Sequence, residues 1–196
     1  MSLSEVELEI LENMLLNCKP MLVTQIVSEP KDVSATNMYL AGLTQKGYVD
    51  SPQKELYTLT DEGKKALGIQ PITKEIAKNI IAYAPHDKSF NFYVDTDKSL
   101  HIHAHSLHDF VNKLSKIDLK IIEFHINRND FETWFERLGD QELAKKTAII
   151  KKRKVTGEQL RVLLQTTVEQ HCQKLMELTE QPHSNLSETE QLHKHH

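Results

Sequence analysis

Residues 32–67, DVSATNMYLAGLTQKGYVDSPQKELYTLTDEGKKAL, hold the pattern that decides the fold. Ser34 is a natural helix N-cap, because its hydroxyl can accept an otherwise unpaired backbone N–H, and Leu40 and Leu43 then fall on one face with Thr36. Gly47 closes that helix. Two short apolar segments, Tyr48 to Asp50 and Leu56 to Leu59, flank Ser51-Pro52-Gln53-Lys54 as the arms of a hairpin would. Thr60 caps a further helix with Asp61 and Glu62 in its first turn, where negative charge suits the helix dipole, and Gly68 ends it. The face opposite Leu40 and Leu43 presents Ala35, Asn37, Met38, Ala41 and Gln45.

On the N-terminal side, Ser4 caps a first helix whose inward stripe is Val6, Ile10, Leu11, Met14 and Leu15. Glu5, Glu7, Glu9 and Glu12 occupy its other face and are expected to be solvated. Pro20 then opens a second helix, MLVTQIVSE, which stops before Pro30 because a residue preceding proline avoids the helical region.

Taken together, residues 4 to 68 resemble the winged helix-turn-helix transcription regulators of the MarR or PadR type, on the signatures QKGYV (45–49) and LTDEG (59–63). That resemblance implies sequence-specific binding of double-stranded DNA, as a homodimer, with the third helix in the major groove. Ser34, Asn37, Met38, Ala41 and Gln45 would read bases, and Lys31, Lys46 and Lys54 would touch phosphates, with Gln53 beside Lys54 at the hairpin tip. Asn and Gln match adenine, while Met38 or Ala41 suits a thymine methyl. Wings of this type usually carry arginine where this chain has Lys54.

Charge points the other way. Residues 1–68 hold six lysines, no arginine and ten acidic residues, although affinity for duplex DNA rests on cations that neutralise phosphates. The competing expectation is a winged helix that docks on protein. The densest basic run, Lys151 to Lys154, lies far beyond this segment and could supply the missing phosphate contacts.

From Pro71 the run ITKEIAKNIIAYA reads as a connector helix or an added dimer contact, with Ile72, Ile76, Ala77, Ile80 and Ile81 on its apolar side. Phe90 begins a hairpin, FNFYV and LHIHAH around Asp95 to Lys98. Ser106, Asp118 and Asp130 then cap three helices, Gly139 ends the third, and QELAKKTAII forms a fourth. Phe131, Trp134 and Phe135 read as a core cluster. A capping box at Thr156 launches a long helix whose seam, Leu160, Leu164, Val168, His171 or Cys172, Leu175 and Leu178, packs within the chain or on a second copy. Residues 88–150 are also similar to an uncharacterised domain family with a His-x5-Phe-x2-Trp-x3-Leu-Gly-Asp-x2-Leu-Ala pattern, supplied here by His125, Phe131, Trp134, Leu138, Gly139, Asp140, Leu143 and Ala144.

The architecture expected is mainly α with short β-hairpins: a winged helix (1–68), a connector helix (69–86), a mostly helical α+β domain opening on a hairpin (87–178) that senses or assembles, and a disordered tail (179–196). No stretch reaches the roughly 18 apolar residues of a membrane span, so a soluble, cytoplasmic chain with no membrane partner is expected. Cys18 and Cys172 are too far apart for a CxxC site and read as small core residues. No phosphate loop, nucleophile motif or paired carboxylates point to catalysis, and no cofactor is implied. His101, His103 and His105 alternate on one strand face with His108 close behind, a pattern that could hold zinc only with a further ligand such as His86 or His125. No bound metal is expected.

Overall fold

The computed structural model describes residues 3–26 and 33–181, and these form a mainly helical protein with two small antiparallel sheets. Helix α1 (Glu5–Leu15) starts with a full capping box: Ser4 Oγ accepts the Glu7 N–H at 3.2 Å, and the Glu7 carboxylate accepts the Ser4 N–H at 2.9 Å. Ile10, Leu11, Met14 and Leu15 are buried as expected, but Val6, one turn ahead of the core, is 42 % exposed. Glu12 is the opposite exception. It is only 7 % exposed and meets Lys145 at 3.3 Å and Lys152 at 3.0 Å, both from a later helix.

The expected second helix begins as a strand. In β1 (Met21–Leu22) the residues pair with Tyr57 and Leu56, and only α2 (Val23–Ile26) follows as helix before the chain leaves the described residues. Apolar Met21 is buried in this sheet, which captures the stretch after Pro20 before a helix can form there. Next come α3 (Val33–Gln45), β2 (Val49–Gln53), β3 (Leu56–Leu59) and α4 (Asp61–Ala66), with sheet order β1–β3–β2. Val33 is already helical, so Ser34 lies in the first turn of α3 and is not its cap. Strand β2 takes in Ser51, Pro52 and Gln53, leaving Lys54 and Glu55 as the turn. The β2–β3 register shifts between Asp50 and Gln53, a place where Pro52, which has no N–H to donate, is tolerated. Thr60 caps α4 by accepting the Gly63 N–H at 3.0 Å. A side chain at Gly63 would place its Cβ 2.2 Å from the Tyr48 carbonyl oxygen, so this close approach of helix to strand requires glycine.

Helix α5 (Lys74–Ile81) is capped by Thr73 and buries Ala77 and Ile80. The second sheet pairs β4 (Phe90–Asp95) with β5 (Lys98–Ala104). Helices α6 (Leu107–Leu114), α7 (Leu119–Asn127), α8 (Asp130–Arg137), α9 (Gln141–Lys152) and α10 (Gly157–Glu180) complete the described residues. Ser106 and Asp118 cap as expected, but α8 is entered through Asn129 in the left-handed region (φ 62°), which makes Asp130 its first helical residue. The capping box at Thr156 does not form; the Gly157 N–H is taken instead by Glu123 Oε1 at 2.9 Å.

The α10 seam turns inward. Leu160, Leu164, Val168, His171 and Leu175 are buried within the chain, against surroundings that include α5, α6, α7 and α9. The helix continues through Glu180, so residues 179 and 180, expected in the tail, are helical, and residues 182–196 lie outside the described part. Cys18 is exposed and Cys172 half-buried, so neither is a fully buried core residue. Buried apolar side chains from α1 through α10 join in one contiguous cluster. Among the described residues no helix is long and apolar enough to cross a membrane.

Candidate functional site

Helix α3 is held by Thr36, Leu40 and Leu43, and their burial turns Ser34, Asn37, Met38, Ala41 and Gln45 to the surface. Met38 is 76 % exposed and no charged side chain lies among those five, so the face is uncharged and partly apolar. Strand β2 packs against α3 and leads to Gln53 and Lys54, both exposed. Eight of the nine residues singled out in the sequence are thus on the surface of one unit. The ninth, Lys31, lies outside the described residues.

Lys46 is exposed but engaged. Its Nζ lies 2.5 Å from Glu7 Oε1, and this lysine, with the Ser4 N–H, holds the Glu7 carboxyl below its usual range. Lys64 and Lys65 are paired with Glu142 and Glu62. Among the described residues of the N-terminal segment, Lys19 and Lys54 are the lysines without an ion pair.

In the basic run 151–154, Lys152, Arg153 and Lys154 are exposed, yet three of the four side chains are engaged within the fold. Lys151 donates to the Asn127 carbonyl at 2.9 Å and to Asn129 Oδ1, Lys152 pairs with Glu12, and Arg153 donates to Asn13 Oδ1 at 2.9 Å. Two of these four side chains therefore fasten α9 to α1. Lys154 remains exposed, in a left-handed backbone conformation.

The β4–β5 register slips after Phe92–Ile102, and His101 sits in that irregularity at φ 55°, so the plain alternation of His101, His103 and His105 is broken there. His103 and His105 gather instead with His86: the His86 and His103 ring centres are 4.4 Å apart, and His105 stacks on Tyr83 at 4.8 Å. Among the described residues no group of three His, Cys, Asp or Glu side chains is arranged to hold a metal ion. His125 belongs elsewhere and is 1 % exposed. Its Nε2 accepts the Tyr93 N–H at 2.9 Å, which leaves the ring proton on Nδ1 to be donated to Asp130 at 2.7 Å. Burial pushes this imidazole below its ordinary pKa, an effect only partly offset by Asp130.

Sequence reasoning missed a buried polar cluster centred on Glu142. Lys146, 1 % exposed, lies 3.0 Å from Oε1, and Lys64 of α4 lies 2.8 Å from Oε2. His171 and Asp140 pair beside it at 2.8 Å. The i,i+4 spacing of Glu142 and Lys146 was a visible signal. Nothing in one sequence marks the pair as buried. The chain matches no protein-family model, no curated protein and no solved structure.

Proposed function

We propose that residues 3–68 form a winged helix that docks α3 in the major groove of double-stranded DNA, with the β2–β3 hairpin alongside and a second copy of the chain completing a regulator of transcription. The observation that carries this reading is topological. The order α1–β1–α2–α3–β2–β3, with β3 central in its sheet, leaves the face of α3 that carries Asn37, Met38 and Gln45 uncovered on an element directly followed by an exposed hairpin. Asn37 and Gln45 are the base readers and Lys54 the phosphate contact.

A second reading has its own support. With Lys46 held by Glu7 and Met38 and Tyr39 exposed, the same face suits a protein partner. Fluorescence anisotropy of the full chain on mixed and A·T-rich duplexes, over a series of salt concentrations, separates the two. DNA docking predicts affinity that falls linearly in log salt, with a shallow slope of about −2 for a dimer in which each copy places one free lysine, Lys54, on a phosphate. It also predicts that Asn37→Ala with Lys54→Ala abolishes binding without altering the fold. Absence of binding at low salt would remove the DNA reading and leave the protein-docking one.

A further inference from the structure

A cleft of about 570 Å³ opens between the β4–β5 turn and helices α7 and α8. It lies in the range of small-molecule sites, far larger than a single ion needs. Its lining has an uneven chemistry. The chain holds four arginines among its 24 basic residues, and two of them, Arg128 and Arg137, line this one cleft. The other two are engaged inside the fold: Arg153 with Asn13, and Arg161 with Glu158 and the carbonyls of Leu114 and Ile117.

Arg128 is held in place from three sides. Its guanidinium carbon sits 4.9 Å over the Phe124 ring, its Nε lies 3.3 Å from Asp130 Oδ2, and its Nη1 donates to Thr96 Oγ1 at 3.4 Å. Asp130 is itself fixed by buried His125. Such a chain of contacts immobilises a guanidinium while leaving its Nη2 donors for something else. Arg137 makes no hydrogen bond or ion pair among the described residues, so its five N–H groups are open. Asn91 accepts from Ser99 Oγ at 3.1 Å, which leaves its amide N–H groups to donate elsewhere, and Thr133 donates to the Asn129 carbonyl, which leaves its oxygen able to accept. The Asp97 carboxylate, also in the lining, has no cation partner among the described residues.

We propose that this cleft binds a small hydroxylated oxyanion, its anionic group on Arg128 and Arg137 and its hydroxyls on Asn91, Asp97 and Thr133. The open guanidinium of Arg137, with the Nη2 donors left on Arg128, matches the forked geometry of a phosphate or carboxylate. The unpaired Asp97 selects for a body that brings hydroxyl donors and against a bare second anion. A phosphorylated sugar and a sugar acid share this chemistry. The proposal is independent of what α3 binds.

The chain contains a single tryptophan, Trp134, and it lines the cleft, so intrinsic fluorescence of the full-length protein reports on the site. Glucose 6-phosphate and gluconate, neither of which absorbs near the indole band, are the two probes, with calorimetric titration in parallel. The expected result is a saturable change with at least one probe. Response to glucose 6-phosphate alone assigns a phosphate ester, and response to gluconate alone a carboxylate. In Arg137→Gln the affinity should drop about tenfold or more, the scale of a lost charge-assisted hydrogen bond, with thermal unfolding of the free protein unchanged because Arg137 supports nothing else. No saturable response to either probe in the millimolar range, or an unchanged response in Arg137→Gln, would overturn the proposal.

Discussion

Lys64 Nζ, on α4, lies 2.8 Å from Glu142 Oε2, on α9, and the two side chains retain 14 % and 4 % of their exposure. The same carboxylate meets Lys146 at 3.0 Å, and Lys174 and His171 at 3.7 Å. Burial by itself would raise the Glu142 carboxyl, but Lys146, Lys174, His171 and Lys64 outweigh it and hold the group far below the usual carboxylate range. One acid therefore balances several cations at the place where α4 meets α9. Removing its charge leaves them uncompensated.

Glu142→Gln should accordingly destabilise the protein by about 3–5 kcal/mol, the range for breaking a buried pair from one side. Because the folded carboxyl is depressed, its contribution is fully present above the unfolded value of about 4.3 and is lost as pH falls through the lower folded value. Urea midpoints of wild type and variant should stay apart at neutral pH and converge only in strong acid. Equal midpoints at neutral pH would show that the cluster adds nothing.

Glu7→Gln keeps the capping geometry at Ser4 but removes the charge that occupies Lys46. Stability should change by less than about 1 kcal/mol, as for other ion pairs near the surface. If α3 reads DNA, the freed lysine raises affinity and steepens the salt slope by about 1 per copy. Anisotropy at matched salt reads both quantities, and an unaltered slope would place Lys46 away from phosphates.

Two glycines should respond with opposite signs. Gly63→Ala drives a Cβ into the Tyr48 carbonyl, a backbone atom with no rotamer to escape into, and should cost about 1–3 kcal/mol. Gly42, in the middle of α3, has nothing within 4 Å of the place a Cβ would take, and should gain about 0.5–1 kcal/mol as alanine. Chemical denaturation of the two variants beside wild type tests the pair.

His125 gives the fold an acid sensitivity. Its folded pKa is lowered by burial, so the unfolded chain takes up a proton first. Stability from this group is complete above about pH 6.5 and declines as pH drops from there toward the folded value. The urea midpoint should fall across that interval in wild type, and His125→Asn should flatten the slope while lowering stability at pH 8. An equal slope in the variant would assign the effect to other groups.

What could be read beforehand follows from how locally each feature is determined. Leu40, Leu43, Phe110 and Leu114 lie at helical spacing, and Ser4, Thr60 and Ser106 sit where the first free N–H groups need an acceptor; these elements were legible. The surface positions of Asn37, Met38 and Gln45 followed from the same periodicity. Errors arose where a distant strand or side chain decides. Met21 and Leu22 are claimed by β3, much later in the chain, and Glu12 is claimed by Lys145 and Lys152. The motif around His125 had spacing without meaning until the fold was known. Phe131, Trp134, Leu143 and Ala144 are core, Gly139 turns at φ 87°, and Asp140 both caps α9 and receives His171. The arginine-lined cleft left no trace in the sequence, since Arg128 and Arg137 look like ordinary surface arginines until α7 and α8 are packed beside the β4–β5 turn.

The fastening of α9 to α1 through Lys152 and Arg153 also bears on how such a chain can be inherited or recombined. A graft that joined residues 1–68 to a foreign C-terminal half would carry a buried Glu12 into a setting without its two lysines and would leave Lys64 without Glu142, while the reciprocal graft would strand Glu142. Exchange at that seam is penalised in both halves at once. Among relatives, substitutions at 12 and 142 should travel with those at 145, 152 and 64, a covariation that crosses the apparent boundary between the two segments.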